Sequence, residues 1–139
     1  MNKKIGYTTG VFDLFHIGHL NILKRAKEQC DILIVGVTTD EVTEQMKNIK
    51  PIIPFEERQE IVQSIKYVDK VVAKTSVDNI EAWSDLKFNI YFKGDDWKDT
   101  EKGNKLEEDF KKYGVEIKYF PYTQGTSSTK LREILEKIF

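Results

Sequence analysis

The sequence predicts a doubly wound α/β domain built on a parallel sheet, and three observations lead there. Short β-branched runs recur five times, with helical apolar stripes between them. One run, Asp31 to Thr38, is almost unbroken in apolar residues, the pattern of a strand covered on both faces as in parallel sheets. The chain's 139 residues can bury one core and not two, so residues 1–139 are expected to form a single domain.

Taken in order, Lys4 to Thr9 reads as a first strand, and Leu20, Leu23 and Ala26 mark one face of a helix running to about Gln29. Asp31 to Thr38 is the second strand. Lys47 to Pro54 reads as irregular, and Pro54 stands where a helix can begin, with Glu56 and Glu57 in its first turn and Ile61, Ile65 and Val68 on its inner face. Val71 to Ala73 makes a third strand, Ile80, Trp83 and Leu86 a helix, and Ile90 to Phe92 a fourth strand. Leu106 to Tyr113 is a helix closed by Gly114, and Val115 to Phe120 a fifth strand. Leu131, Ile134, Leu135 and Ile138 form the stripe of a final amphipathic helix, with Ser127 or Ser128 as its N-cap. The expected architecture is Rossmann-like, a five-stranded parallel sheet in the order 3-2-1-4-5 whose ligand lies at the carboxyl ends of the strands.

Lys and Arg total 22 against 23 Asp and Glu, so no net field draws in nucleic acid or an anionic membrane. No apolar run approaches the roughly 20 residues of a membrane span, and the amino terminus lacks a signal peptide's apolar stretch. The expected location is the cytoplasm. Cys30 is the single cysteine, which excludes an internal disulfide and a thiolate metal site.

Both histidines fall in one turn, His16 and His19, at the start of the first helix and at the carboxyl end of the first strand. Their i, i+3 spacing projects two imidazoles to one side, and Gly18 between them leaves room for a ligand. Free helix N–H groups already favour an anion there. Imidazole N–H bonds to phosphate are worth about 1.5–3 kcal/mol each. The residues also allow a metal half-site, although with no third histidine only carboxylates could complete it, and no protein motif for a metal is evident.

The run Gly10-Val11-Phe12-Asp13-Leu14-Phe15-His16-Ile17-Gly18-His19 resembles the signature of the cytidylyltransferase family, in particular the small bacterial glycerol-3-phosphate cytidylyltransferases. The likeness continues through Thr39-Asp40-Glu41, Glu57-Arg58, Lys66-Tyr67-Val68-Asp69, Gly94-Asp95-Asp96-Trp97 and Gly125-Thr126-Ser127-Ser128-Thr129. The resemblance implies attack by the phosphate of a small alcohol phosphate on the α-phosphorus of CTP, with Mg2+ assisting and pyrophosphate leaving. It implies catalytic roles for His16, His19 and Lys47. Thr9, Gly10, Val11, Gly18, Asp95, Thr123, Ser127, Ser128 and Thr129 would hold the nucleotide, with Lys50, Lys66 and Tyr122 as further phosphate or acceptor contacts. It also implies a homodimer, and a product that is an activated alcohol for phospholipid, teichoic acid or capsule assembly.

Two departures bear on the acceptor: Tyr122 and Lys66 stand where the glycerol-3-phosphate enzymes carry arginine. An arginine offers phosphate a two-pronged fork and a tyrosine a single hydroxyl. Lys66 matches the ethanolamine-phosphate enzymes, and choline phosphate or another polyol phosphate is a further alternative, with Lys93 another local difference. An adenylyltransferase sharing the histidine turn is the rival within the enzyme class, and a nucleotide-binding sensor the rival outside it. The length leaves no room for tRNA recognition by a class I synthetase, and the glycine motifs of dehydrogenases and P-loop enzymes do not occur.

Overall fold

Alternating side chains send Leu33, Val35 and Val37 to one side of a central strand and Ile34 to the other, and each side has its own apolar core. The computed structural model describes residues 3–121 and 127–138. In chain order the elements are β1 (Ile5–Gly10), α1 (Ile17–Glu28), β2 (Ile32–Thr38), α2 (Asp40–Lys47), α3 (Phe55–Gln63), β3 (Lys70–Lys74), α4 (Asn79–Leu86), β4 (Ile90–Gly94), α5 (Glu101–Lys111), β5 (Glu116–Phe120) and α6 (Ser128–Ile138). All strand pairs are parallel, in the order β3-β2-β1-β4-β5 as expected. The chain reverses its direction of travel between β1 and β4, and a crevice opens at such a point.

One core joins Leu23 and Ala26 of α1 and Val62 of α3 to Leu33, Val35, Val37 and Phe92 of the sheet. The other packs Tyr7, Ile34 and Tyr91 against Phe88, Leu106 and Phe110, with α4 covering its edge. Each fully buried Leu, Val or Phe contributes about 1.5–3 kcal/mol, which explains why the sheet is covered on both faces.

Four helices depart from the sequence reading. Asp40–Lys47, unassigned before, is the helix α2, capped by Thr39, whose hydroxyl accepts from Val42 N, and ended by Asn48 in the left-handed region. Its inner face is Val42 and Thr43, too thin an apolar stripe to show in the pattern. In α3 the inward residues are Arg58 and Val62, whereas Ile61 is 41% exposed, and Ile65 and Val68 reach the core from beyond the helix end. Pro54 is the N-cap itself. In α6 the stripe is real but poorly covered, since Leu131 and Leu135 are half-buried while Ile134 and Ile138 are exposed.

A close approach explains the start of α5, which begins at Glu101 rather than near Leu106. Thr100 caps it, and Gly103 lies so near the preceding turn that a Cβ there would stand 1.8 Å from the Trp97 carbonyl oxygen. Among the described residues no helix is long and apolar enough to cross a membrane.

Candidate active site

The turn from β1 into α1 is strained. Phe12 and Leu14 have φ of 56° and 51°, left-handed values that cost a non-glycine residue about 1–3 kcal/mol each. They bracket Asp13, whose buried carboxylate repays the strain by accepting from Ile52 N at 2.8 Å, Ile53 N at 2.9 Å and Arg132 Nη2 at 3.0 Å. Arg132 also donates to the Lys50 carbonyl. One aspartate thus ties the loop before α3 and the helix α6 to the β1–α1 turn.

A second buried ion organises the same end of the sheet. The Arg58 guanidinium has no exposure and donates to the carbonyls of Ile53, Val11 and Thr38 and to Asp40 Oδ1. It joins the ends of β1 and β2 to the start of α2.

On this frame the two imidazole rings lie against each other, tilted by 34°, with centroids 4.1 Å apart. His16 is the N-cap of α1, and its Nδ1 accepts from Gly18 N at 3.0 Å. Its own backbone N–H donates to His19 Nδ1 at 3.2 Å. With both Nδ1 atoms acting as acceptors, the neutral rings carry their protons on Nε2, a tautomer assigned from the hydrogen-bond network. His19 Nε2 lies 3.5 Å from Ser128 Oγ, a loose contact, and that hydroxyl donates to the Asp13 carbonyl at 2.6 Å. Burial pushes the His19 pKa down to about 4, helped by the positive potential of His16 and Lys47 against the opposing pull of Asp13. Burial lowers His16 as well. Both are neutral N–H donors near pH 7.

Asp13, His19 and Ser128 line a cavity of about 320 Å³ over the carboxyl ends of β1 and β4, whereas His16, lying against His19 at the start of α1, is not among its lining residues. Thr9, Gly10, Val11, His19, Lys47, Ser128 and Thr129 all face it, seven of the fifteen site residues read from the sequence. Lys47 is the last residue of α2 rather than part of an irregular stretch. Gly18 is buried and acts through its N–H. Ser127 caps α6, accepting from Lys130 N at 3.1 Å. Asp95 opens a 3-10 turn directly after Gly94, which lines the cavity, and is itself exposed. Lys50 contributes a carbonyl to Arg132 but is not among the lining residues. Lys66 lies away from the cavity, its Nζ 5.2 Å from the Tyr67 ring centroid. Tyr122 and Thr123, with Gly125 and Thr126, lie outside the described residues.

Sequence reasoning assigned no role to Asp13, Arg58 or Arg132. The first two lie in quoted motifs, yet their partners are far along the chain: Arg132 is 119 residues from Asp13. Lys93 also lines the cavity, its Nζ 3.7 Å from the Trp97 ring centroid. Burial and the neighbouring Lys74 push its pKa down to about 8, with Asp96 opposing. Among the described residues no group of three or more His, Cys, Asp or Glu side chains gathers to hold a metal. The site instead presents a helix N-terminus, imidazole N–H donors and ammonium groups, a donor set suited to a phosphate chain.

The family model described as cytidylyltransferase-like matches residues 7–134. The chain is 37% identical over 134 residues to a glycerol-3-phosphate cytidylyltransferase of Bacillus subtilis strain 168, covering 96% of each. It is 34% identical to an FAD synthase of Thermococcus kodakarensis, covering 93% of this chain and 87% of the synthase. A solved lipopolysaccharide core biosynthesis protein from Thermoplasma volcanium superposes with a TM-score of 0.74 at 25% identity, over 90% of this chain and all of that one. With its parallel sheet, its histidine turn and a family match spanning nearly every element, the chain belongs to the cytidylyltransferase-like family of nucleotidyltransferases.

Proposed function

We propose that the protein transfers a cytidylyl group from CTP to a small alcohol phosphate, glycerol-3-phosphate first among the candidates, releasing pyrophosphate, and that residues 1–139 act as one catalytic domain. The observation that carries this reading is the pair of histidines whose Nδ1 atoms are tied down and whose Nε2–H groups remain to donate, with His19 in the same cavity as Lys47 and the start of α6. Relatives that are glycerol-3-phosphate cytidylyltransferases at 35–37% identity support the base and the acceptor.

In this reading the triphosphate lies along the N-terminus of α1, and His16 and His19 donate to oxygens around the α-phosphorus, where charge grows as the acceptor oxygen attacks in line. Donors fixed before the reaction need no reorganisation, and one of them is worth roughly 10²–10³ in rate. Lys47 neutralises the departing pyrophosphate, while Ser128, Thr129 and the N-terminus of α6 hold the triphosphate from the other side. Thr9, Gly10, Val11 and Asp95 flank the nucleoside. Asp13, three residues before His16, is already committed to Ile52, Ile53 and Arg132, so Mg2+ would enter with the nucleotide rather than on this carboxylate. Bound with the nucleotide, Mg2+ supplies charge neutralisation on the phosphates.

The test is pyrophosphate release with Mg2+, each of the four nucleoside triphosphates, and a panel of glycerol-3-phosphate, phosphoethanolamine, phosphocholine, ribitol-5-phosphate and flavin mononucleotide. CTP with glycerol-3-phosphate is the expected pair. The FAD synthase relatives favour one second reading, adenylyl transfer from ATP to flavin mononucleotide, which the same panel scores. Nucleotide binding with no turnover on any acceptor points to a sensor and refutes the enzyme reading. The exposed Ile134 and Ile138 of α6 support a homodimer, checked by light scattering. We place the reaction in the cytoplasm, serving the assembly of a lipid or cell-surface polymer.

A further inference from the structure

The histidines and Lys93 reach the crest of the sheet from opposite faces. Leu23 and Ala26 of the histidine-bearing helix α1 pack into the core that holds Phe92, whereas Lys93 lies over Tyr91, whose ring belongs to the other core. The Lys93 ammonium rests 3.7 Å from the Trp97 ring centroid and 5.7 Å from that of Tyr91. Among the described residues it has no carboxylate at ion-pair distance. Lys74, itself buried, has none either, and donates to a neutral acceptor, Asn79 Oδ1, at 3.0 Å. That same oxygen accepts from the Tyr91 hydroxyl at 3.0 Å, and the Tyr91 hydroxyl meets Thr9 Oγ1 at 2.9 Å on the cavity wall.

Two sheltered cations with no anion between them are costly, and ring contacts offset only a part of that. The charges acting on Lys93 are mostly of its own sign, Lys74, Lys47 and Lys102 against Asp96 alone. A ribose or a base would leave that potential uncompensated. A phosphate dianion would remove it. The triphosphate already has its donors on the α1 face, which leaves the β4 face for the second phosphate that the reaction requires.

We propose that Lys93, with the buried Lys74 as its neighbouring cation, seats the phosphate of the acceptor across the sheet crest from the triphosphate, an assignment that rests on the nucleotidyl-transfer reading above. Lys93 is the contact and Lys74 a positioning residue that keeps the local potential positive. Substrates would then be phosphate monoesters, and the organic part of the acceptor would have little influence on this contact.

The experiment follows the lysine ε-carbon signals by NMR, with 13C-labelled lysine in the full chain and no nucleotide present. Inorganic phosphate, glycerol-3-phosphate, phosphoethanolamine and phosphocholine are titrated in turn. At least one monoester is expected to shift the Lys93 signal saturably and to raise its titration midpoint from about 8 by a unit or more. Lys93→Met should weaken that binding at least tenfold, Lys93→Arg should restore most of it, and CTP affinity by calorimetry should change by less than about threefold. Lys74→Met should lower monoester affinity without removing the saturable shift. A Lys93 signal unmoved by every probe, or a Lys93→Met variant that loses CTP instead, overturns the assignment. If no triphosphate yields pyrophosphate while the monoester still moves Lys93, the enzyme reading fails and the phosphate site stands. If turnover proceeds and Lys93→Met leaves the acceptor KM unchanged, the phosphate site alone fails.

Discussion

Replacing Arg58 by methionine should destabilise the protein by about 4 kcal/mol while preserving most of the side chain's apolar stem. The guanidinium is fully buried and satisfies the carbonyls of Val11, Thr38 and Ile53 along with the Asp40 carboxylate. Removing one member of a buried ion pair costs about 3–5 kcal/mol, but Asp40 keeps 26% side-chain exposure, so water recovers part of that and about 2 kcal/mol remains. The orphaned carbonyls add a similar amount at somewhat under 1 kcal/mol each, since water entering the vacated space satisfies them partly. For a chain of 139 residues this corresponds to a fall in Tm of about 14 °C. Thermal denaturation followed by circular dichroism measures it, and Arg58→Lys, which keeps the charge but not the four-way reach, should fall between. A Tm within about 3 °C of wild type for Arg58→Met would refute the claim that this cation holds the strand ends together.

His16→Ala or His19→Ala should each cut pyrophosphate release by about 100-fold or more with the fold intact, measured under saturating CTP alongside circular dichroism; unchanged turnover in both ends the catalytic reading. The depressed His19 pKa has a sign that can be checked. The unfolded chain takes up a proton at this residue between pH 6.5 and 4 that the folded chain refuses, so stability is complete above 6.5 and falls as pH drops through that window. The loss is at most about 3 kcal/mol, read from urea midpoints of wild type and His19→Gln across the window, and coincident slopes would contradict a buried neutral imidazole. Gly103→Ala should destabilise by about 2 kcal/mol despite alanine's better helix propensity, because its methyl would meet the Trp97 carbonyl at 1.8 Å. A urea midpoint equal to or above wild type would show that α5 can shift freely.

The strands and the histidine turn were legible because each leaves a local trace: a β-branched run, or two imidazoles three residues apart. The helix α2 was not, since its buried face holds a threonine beside a single valine and its caps, Thr39 and Asn48, carry no period. Arg58 defeated the pattern of α3 for a related reason. A charge at an inward position looks like the end of an apolar stripe, so the stripe was drawn through Ile61, one residue from the buried Val62. The partners of Asp13 were invisible, because nothing local marks Ile52, Ile53 and Arg132 as neighbours of a turn some 39 to 119 residues away. Pattern reading finds what a residue shares with its sequence neighbours, and the site is held by residues that share nothing until the sheet is formed.

The thin attachment of α6 makes the site's durability different from that of the sheet. The helix has no fully buried side chain, and Ser128 and Arg132 fasten it mainly through their hydrogen bonds to Asp13 and to the Lys50 carbonyl. Segments with little apolar burial open at free energies well below global unfolding. As denaturant rises, α6 should detach first, releasing Ser128 from the vicinity of His19 while the five strands remain paired. Turnover would then vanish before the far-ultraviolet signal changes, and amide exchange would be fastest along α6 and slowest in β1 and β2. A triphosphate lying between α1 and α6 would slow that opening, so nucleotide would protect the helix more than the protein as a whole.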